Sequence, residues 1–119
     1  MESDRNISFH EAGLTAVQST SDGAICLTLE GVHVDDQMRN ATVCLDGVSQ
    51  IVRDGSTVND ITMEYEDAEV LTLDKTLDIV RLIVEWNDFK HHRQETRSYR
   101  IKCDSMRVQV DSTDSQDDD

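Results

Sequence analysis

The sequence predicts a mainly β protein, an antiparallel meander of about eight strands that forms a sandwich or partly open barrel, with at most one short helix. Three observations support this fold class. Apolar and polar residues alternate with a period of two along most of the chain. Three Asp-Gly dipeptides, which favour tight hairpin turns, separate the alternating runs. No long segment repeats its apolar residues with the helical period.

The predicted strands are joined by short polar turns, so neighbours in the chain are expected to pair antiparallel. The segment 48–53 is ambiguous, because its apolar residues fit either a short strand or a single helical turn. A short helix, if present, is expected within 48–60. The predicted strands cover residues 14–18, 24–30 with an extension to 34, 38–45, 61–66, 70–74, 77–86, 93–103 and 106–110.

Two of these strands also predict how the sheet packs. In the strand 77–86, Ile79 and Ile83 lie opposite the main apolar face, which is typical of a central strand covered on both sides. In the strand 93–103, alternate positions are apolar near its end, so one face is expected to be buried and the other wet. The expected buried residues are Tyr99, Ile101 and Cys103, and the expected wet residues are Thr96, Ser98, Arg100 and Lys102.

A chain of 119 residues is expected to form one domain, here residues 1–110. Residues 111–119 carry five aspartates and no apolar side chain, which predicts a disordered acidic tail. No apolar run is long enough to cross a membrane, and the first residues lack the pattern of a secretory signal. These features together favour a cytoplasmic location.

The net charge of −14 restricts the classes of partner. Phosphates and anionic lipid surfaces would be repelled, so we expect neither direct nucleic-acid binding nor membrane binding. The same field would accelerate the approach of a basic protein partner, although acidity also serves solubility alone. The charge is uneven, because residues 90–107 contain six basic and two acidic side chains.

Two groups of charged residues are candidates for contact with a partner. The acidic group lies on expected strand faces and turns. The basic strand is a docking surface that the acidic tail could cover, an edge strand protected by charge, or a strand paired with acidic neighbours. The acidic candidates are Asp35, Asp36, Glu64, Glu66, Asp67 and Glu69, and the basic ones are Arg93, Arg97, Arg100 and Lys102.

The sequence offers no pattern for catalysis, a cofactor or a metal. Its three cysteines are widely spaced and form no Cys-x-x-Cys pair, which favours three reduced, partly buried thiols. His91 and His92 are adjacent in an expected loop, but neighbours on an extended chain point apart. Hydrolase signatures and glycine-rich phosphate loops are missing from the sequence.

The opening Ile7-Ser8-Phe9-His10-Glu11-Ala12-Gly13-Leu14, followed by an alternating strand, resembles the F-H-[D/E] start of small acidic bacterial β proteins. Some of these are grouped with immunity proteins of polymorphic-toxin and contact-dependent systems. The resemblance covers about 25 residues at the N-terminus. It implies a compact acidic binder of one cognate toxin rather than an enzyme, and it assigns no functional residues.

Three functions are therefore compatible with the sequence. The first is a noncatalytic acidic protein-binding module, such as a toxin-neutralising immunity protein. The second is a nucleic-acid mimic that blocks a DNA-binding protein, which requires carboxylates in extended rows. The third is a small β-barrel that binds a ligand or acts as an enzyme, with a deep pocket near His10, His33, His91 and Trp86.

Overall fold

The computed structural model describes residues 7–111, which form ten antiparallel strands and contain no helix. The mainly β prediction is confirmed. Seven of the eight predicted strands form, and three short ones join them: β1, β6 and β5, which resolves the ambiguous segment 48–53 as a strand. The strands are β1 (Ile7–Ser8), β2 (Ala12–Ser19), β3 (Ile25–Val34), β4 (Gln37–Asp46), β5 (Gln50–Arg53), β6 (Ser56–Val58), β7 (Asp67–Thr76), β8 (Ile79–Asp88), β9 (Arg93–Lys102) and β10 (Ser105–Val110).

The strands form one sheet in the order β10-β4-β3-β2-β7-β8-β9-β5-β6, and β1 also pairs with β3. The connectivity is not a simple meander, because the β4–β5, β6–β7 and β9–β10 connections join strands that are not neighbours. The junction between β2 and β7 is only two residue pairs long, Ala12 with Val70 and Gly13 with Glu69. The apolar residues of the two halves on either side of this junction belong to one hydrophobic cluster. The sheet is therefore folded over at β2–β7 around a shared core, and it does not close into a barrel.

The alternation predicted for the strand 93–103 is confirmed. In β9, Tyr99 and Ile101 are buried whereas Ser98 and Arg100 are exposed. β8 lies centrally between β7 and β9. Its predicted cover on both faces is wrong, because Ile79 and Ile83 are only half-buried and face a side of the sheet where Arg81 and Arg100 are exposed. Apolar residues on the outer side of a strand therefore did not require a second layer.

The predicted strand 61–66 is also wrong. This segment is irregular and does not pair with any strand of the sheet. Ile61 is buried in the core with 2% of its surface exposed, and its N–H donates to the Asp60 carboxylate at 2.9 Å. Glu64 is drawn toward arginines of β5 and β9. The contacts of residues 60, 61 and 64 thus hold this segment in place, without the backbone hydrogen bonds to a neighbouring strand that a β-strand would make.

A disulfide corrects the prediction of three reduced thiols. Cys26 on β3 and Cys44 on β4 are directly opposite in register, with their Cα atoms 4.0 Å apart, and they are bonded. Cys103 is the free cysteine of the described chain, and it is buried. Residues 18 apart in sequence gave no local signal of pairing, because the register of β3 and β4 brings them together.

The described residues contain no helix that is long and apolar enough to span a membrane. The acidic tail that the sequence predicts to be disordered spans residues 111–119, and residues 112–119 lie outside the described residues. Asp111 is described, and its N–H donates to the Asn40 carbonyl at 2.9 Å.

The Phe9-His10-Glu11 segment forms the turn that enters β2 and attaches it to β7. The Glu11 N–H donates to the Val70 carbonyl at 2.7 Å, and His10 Nδ1 lies 2.9 Å from the Leu71 carbonyl.

Candidate functional site

An open groove of about 600 Å³ lies where β7 begins and β8 ends. One wall is the end of the irregular segment with the start of β7, residues 64–67, and the other is residues 87–91. The groove contains four carboxylates, those of Glu64, Glu66, Asp67 and Asp88, and one lysine, Lys90. Its charge is therefore strongly negative, which favours a cationic ligand.

A tight turn after β8 shapes the second wall. The Asp88 carboxylate accepts a hydrogen bond from the His91 backbone N–H at 3.3 Å, and its second oxygen lies 2.8 Å from His91 Nδ1. The hydrogen bond with the His91 ring is the main cause that lowers the pKa of Asp88. His92 closes the turn with a φ of 55°. The turn holds the Asp88 carboxylate ionised at the base of the loop.

Phe89 stands at the rim of this groove with 72% of its surface exposed. Met38 and Leu77 are the other large hydrophobic residues of the described chain that are exposed to a comparable extent, and neither lines the groove. An exposed aromatic ring beside carboxylates can pack on the aliphatic part of an arginine or lysine and contact its charge. The groove thus combines an exposed aromatic ring with carboxylates, the two kinds of group that a basic side chain would contact.

On the wall nearest the core, Glu64 belongs to an internal network. Its side chain is only 16% exposed, and its oxygens lie 3.2 Å from Arg97 Nε and 3.8 Å from a guanidinium nitrogen of Arg53. Arg97 also contacts Asp54 at 3.1 Å and Glu95 at 2.7 Å. Hydrogen bonds from Arg97 to Asp54 and Glu64 raise the pKa of the guanidinium. Glu64 is therefore largely neutralised within the fold, and Glu66 and Asp67 are the exposed carboxylates of this wall.

Tyr99 connects this network to the core. Its hydroxyl donates to Glu64 at 3.4 Å, and burial raises the pKa of the phenol to about 12. The neutral phenol is therefore the form that the fold stabilises.

We expect the phenol of Tyr99 to ionise near pH 12, whereas an ordinary phenol has a pKa of 10.0. Because the folded pKa is the higher one, the stabilisation is complete below pH 10 and is lost as the pH rises toward 12. A near-ultraviolet titration of phenolate should show a late transition. Tyr99→Phe should remove it and Tyr65→Phe should keep it, and a late transition that survives in Tyr99→Phe would contradict this assignment.

The structure brings together only part of the acidic group predicted from sequence. Glu64, Glu66 and Asp67 line the groove. Asp35 and Asp36 form the two-residue turn between β3 and β4, with φ values of 49° and 70°, and they are exposed elsewhere on the fold. Glu69 lies on the outer face of β7, where its register partners are Gly13 and Glu85.

The basic strand divides between the two faces of β9. Arg93 and Arg97 are on the same face of β9 as the buried residues of that strand, and Arg100 and Lys102 lie on the outer face. β8 pairs with the whole of β9, whereas β5 pairs with residues 99–102 alone. The interpretation as an edge strand is therefore wrong for Arg100 and Lys102, and it holds for residues 93–98, which have a strand partner on one side only. The pairing of the basic strand with acidic neighbours holds for Arg97 with Glu64, and not for Glu66 or Glu69, which have no ion pair with it.

Asp88 and Phe89 are site residues that the sequence did not single out. Carboxylates are abundant in this chain, and a single aromatic residue in a loop belongs to no sequence pattern that predicts a binding site. The only local signal was the polar loop after β8. The groove forms because irregular residues 64–66, far from this loop in sequence, pack beside it.

The described residues show no catalytic constellation. His91 and Asp88 form a pair, but no hydroxyl or thiol of the described chain is hydrogen bonded to His91. No group of three or more His, Cys, Asp and Glu side chains between residues 7 and 111 could hold a metal ion. The pocket envisaged near His10, His33, His91 and Trp86 does not form, because His10 and His91 line separate depressions and Trp86 is fully buried.

Comparisons of the chain with models of known protein families, with curated proteins and with solved structures find no match. The resemblance of the N-terminal segment to immunity proteins therefore stays a prediction. The geometry of the groove and the charge of the chain are the observations from which a function can be argued.

Proposed function

We propose that this protein is a noncatalytic acidic module that binds a basic protein partner through the groove between residues 64–67 and 87–91. The observation that carries the proposal is the exposed ring of Phe89 beside the carboxylates of Glu66 and Asp67. Aromatic residues are enriched among the side chains that dominate binding energy at protein interfaces. The carboxylates would set the register of a partner's arginine or lysine.

The charge of the whole chain supports the same partner class. A net charge of −14 creates a field that accelerates the approach of a basic protein and repels acidic ones. Neutralisation of a toxin by an immunity protein is one form that this function takes, and the N-terminal resemblance favours it. Such a function requires binding alone.

The disulfide bears on where the protein works. Disulfides persist in oxidising compartments and are rare in the cytosol of most organisms. The Cys26–Cys44 bond therefore favours a location outside the reducing cytosol, in place of the cytoplasmic location that the sequence predicts. We therefore infer that the protein works in an oxidising compartment.

A nucleic-acid mimic is the second candidate, because one row of carboxylates crosses the sheet. Glu30, Glu69 and Glu85 follow one another in register, interrupted by Gly13. The row is short, and the same face carries Arg81 four residues from Glu85 on β8, with Arg100 of β9 directly opposite Arg81. A mimic of the phosphate backbone requires acidic groups over an extended surface. The groove is therefore the better-supported site.

Charge reversal in the groove should slow the capture of the partner. We expect Glu66→Lys/Asp67→Lys to reduce the association rate constant roughly 10-fold or more, because it reverses the sign of the local potential. Basic proteins captured by the wild-type chain from extracts of the producing organism would be identified by mass spectrometry. Their association rates would then be measured with each variant at two salt concentrations.

The matched control is Asp78→Lys/Asp111→Lys, which changes the net charge equally at two exposed aspartates outside the groove. It should retain most of the wild-type rate, because only the long-range field changes. Equal loss in both variants would mean that the groove is not the contact site. Phe89→Ala should accelerate dissociation instead, since it removes a contact and not a charge.

A further inference from the structure

The two walls of the groove each carry an aromatic residue. Tyr65 lies on the wall of residues 64–67, where it is half-buried and packs against the hydrophobic core. Phe89 lies on the wall of residues 87–91, with 72% of its surface exposed. The sequence contains one Trp, two Tyr and two Phe, so the groove holds two of its five aromatic side chains. A ligand in the groove therefore meets aromatic surface from both walls.

Two carboxylates of the groove are available to a ligand. Glu66 and Asp67 are exposed, and neither has an ion pair within the described part of the chain. The other two are engaged, because Glu64 contacts arginines of the fold and Asp88 is held by the turn that follows it. Lys90, which also lines the groove, forms no ion pair with any of the four. The donors of a cationic ligand would therefore be directed at Glu66 and Asp67.

Asn87 restrains the orientation of one of these carboxylates. It is the register partner of Asp67 at the end of the β7–β8 pairing, and its Nδ2 donates to Asp67 Oδ2 at 3.1 Å. The Asn87 amide is held in turn, because its Oδ1 accepts a hydrogen bond from Gln94 Nε2 at 3.2 Å. The second oxygen of Asp67 has no donor among the described side chains. A carboxylate held in one orientation suits a ligand whose own donors have a fixed planar geometry.

We propose that the groove selects arginine over lysine in its basic partner, an inference that rests on the function proposed above. A guanidinium is planar and weakly hydrated, so it packs its face on aromatic rings while its edge donates hydrogen bonds to carboxylates. Phe89 and Tyr65 supply the rings, and Glu66 and Asp67 accept from the edge. The ammonium of lysine is compact, strongly hydrated and without a planar face. A trimethylated lysine would contact the rings, but it has no N–H to donate to the carboxylates.

The test compares three short peptides of equal charge, in which glycine alternates with arginine, lysine or trimethyl-lysine. Each is titrated into the 15N-labelled full chain at about 0.15 M salt, where long-range attraction to the acidic surface is screened. Amide shift changes in residues 64–67 and 87–91 identify binding in the groove and give its Kd. We expect the arginine peptide to bind there roughly 5-fold or more tightly than either of the others.

The outcomes separate this inference from the proposed function. Equal affinity of the arginine and lysine peptides in the groove overturns the selectivity and leaves a basic partner in place. Tighter binding of the trimethyl-lysine peptide also overturns it, because the aromatic rings alone would then determine the ligand. If all three peptides bind outside the groove, the proposed function fails together with the inference.

Two variants that keep the net charge test the roles assigned to the side chains. Phe89→Leu removes the ring and retains an apolar side chain, and Asn87→Ala releases the Asp67 carboxylate. In both, the ratio of the lysine Kd to the arginine Kd should fall toward unity, whereas Asn59→Ala, at an exposed amide outside the groove, should keep the wild-type ratio. A change that only loosens the fold weakens both peptides and leaves the ratio unaltered.

Circular dichroism confirms that each variant is folded. A wild-type ratio in Phe89→Leu overturns the role of the ring, and a wild-type ratio in Asn87→Ala overturns the role of the oriented carboxylate.

Discussion

Replacing Trp86 with alanine is expected to lower the free energy of unfolding by about 3 to 5 kcal/mol, the cost typical of deleting a fully buried large aromatic side chain. Trp86 has no exposed surface and is the largest side chain of the core. It lies on β8 between Ala68 of β7 and Glu95 of β9. Its loss would leave a cavity in the core.

Urea unfolding followed by circular dichroism measures this change, and Trp86→Phe is the informative control. The indole N–H has no hydrogen-bond partner among the described residues, so the tryptophan carries a desolvation cost of its own. Phenylalanine removes that N–H while keeping most of the ring. We expect Trp86→Phe to cost less than half as much as Trp86→Ala. Equal costs for both variants would mean that the N–H, and not the volume of the ring, determines the stability at this site.

Removing the disulfide is expected to cost about 3 kcal/mol. The bond closes a loop whose ends are 18 residues apart, and a loop of this size restricts the unfolded chain by about that amount. Cys26→Ser/Cys44→Ser should therefore unfold at lower urea concentration than the oxidised wild type. A reductant should destabilise the wild type by a similar amount and leave the double variant unchanged.

Thiol counting under denaturing conditions checks the bond itself. One thiol, that of Cys103, should react before reduction and three after it. Three reactive thiols in the unreduced protein, purified without reductant, would contradict the disulfide. They would also remove the argument for an oxidising compartment.

The alternation of side chains was sufficient to predict most of this fold. In β9 it predicted the buried and exposed faces correctly, because a central strand obeys the two-residue period without interruption. β7 differs, since a bulge between Val70 and Thr72 shifts the phase so that Val70 and Leu73 share the buried face. A bulge inserts one residue without any necessary change in composition, and the sequence therefore does not reveal it.

The remaining differences depend on contacts between distant residues. The segment 61–66 has the alternation of a strand, but Glu64 is held by Arg97, which is 33 positions away, and Ile61 enters the core. Cys26 and Cys44 meet through the register of β3 and β4. The groove likewise joins residues 64–67 to residues 87–91. Local periodicity contains no information on which distant segments meet, so the candidate site emerged only from the folded chain.

The most direct test of the proposed function is a nuclear magnetic resonance titration of the 15N-labelled protein with a short peptide of alternating arginine and glycine. If the groove is the preferred site for basic side chains, the largest amide shift changes will fall in residues 64–67 and 87–91. Those changes should disappear in Glu66→Lys/Asp67→Lys and persist in Asp78→Lys/Asp111→Lys. Changes that are largest at the Asp35–Asp36 turn, or spread evenly over the acidic surface, would contradict the assignment of this groove as the binding site.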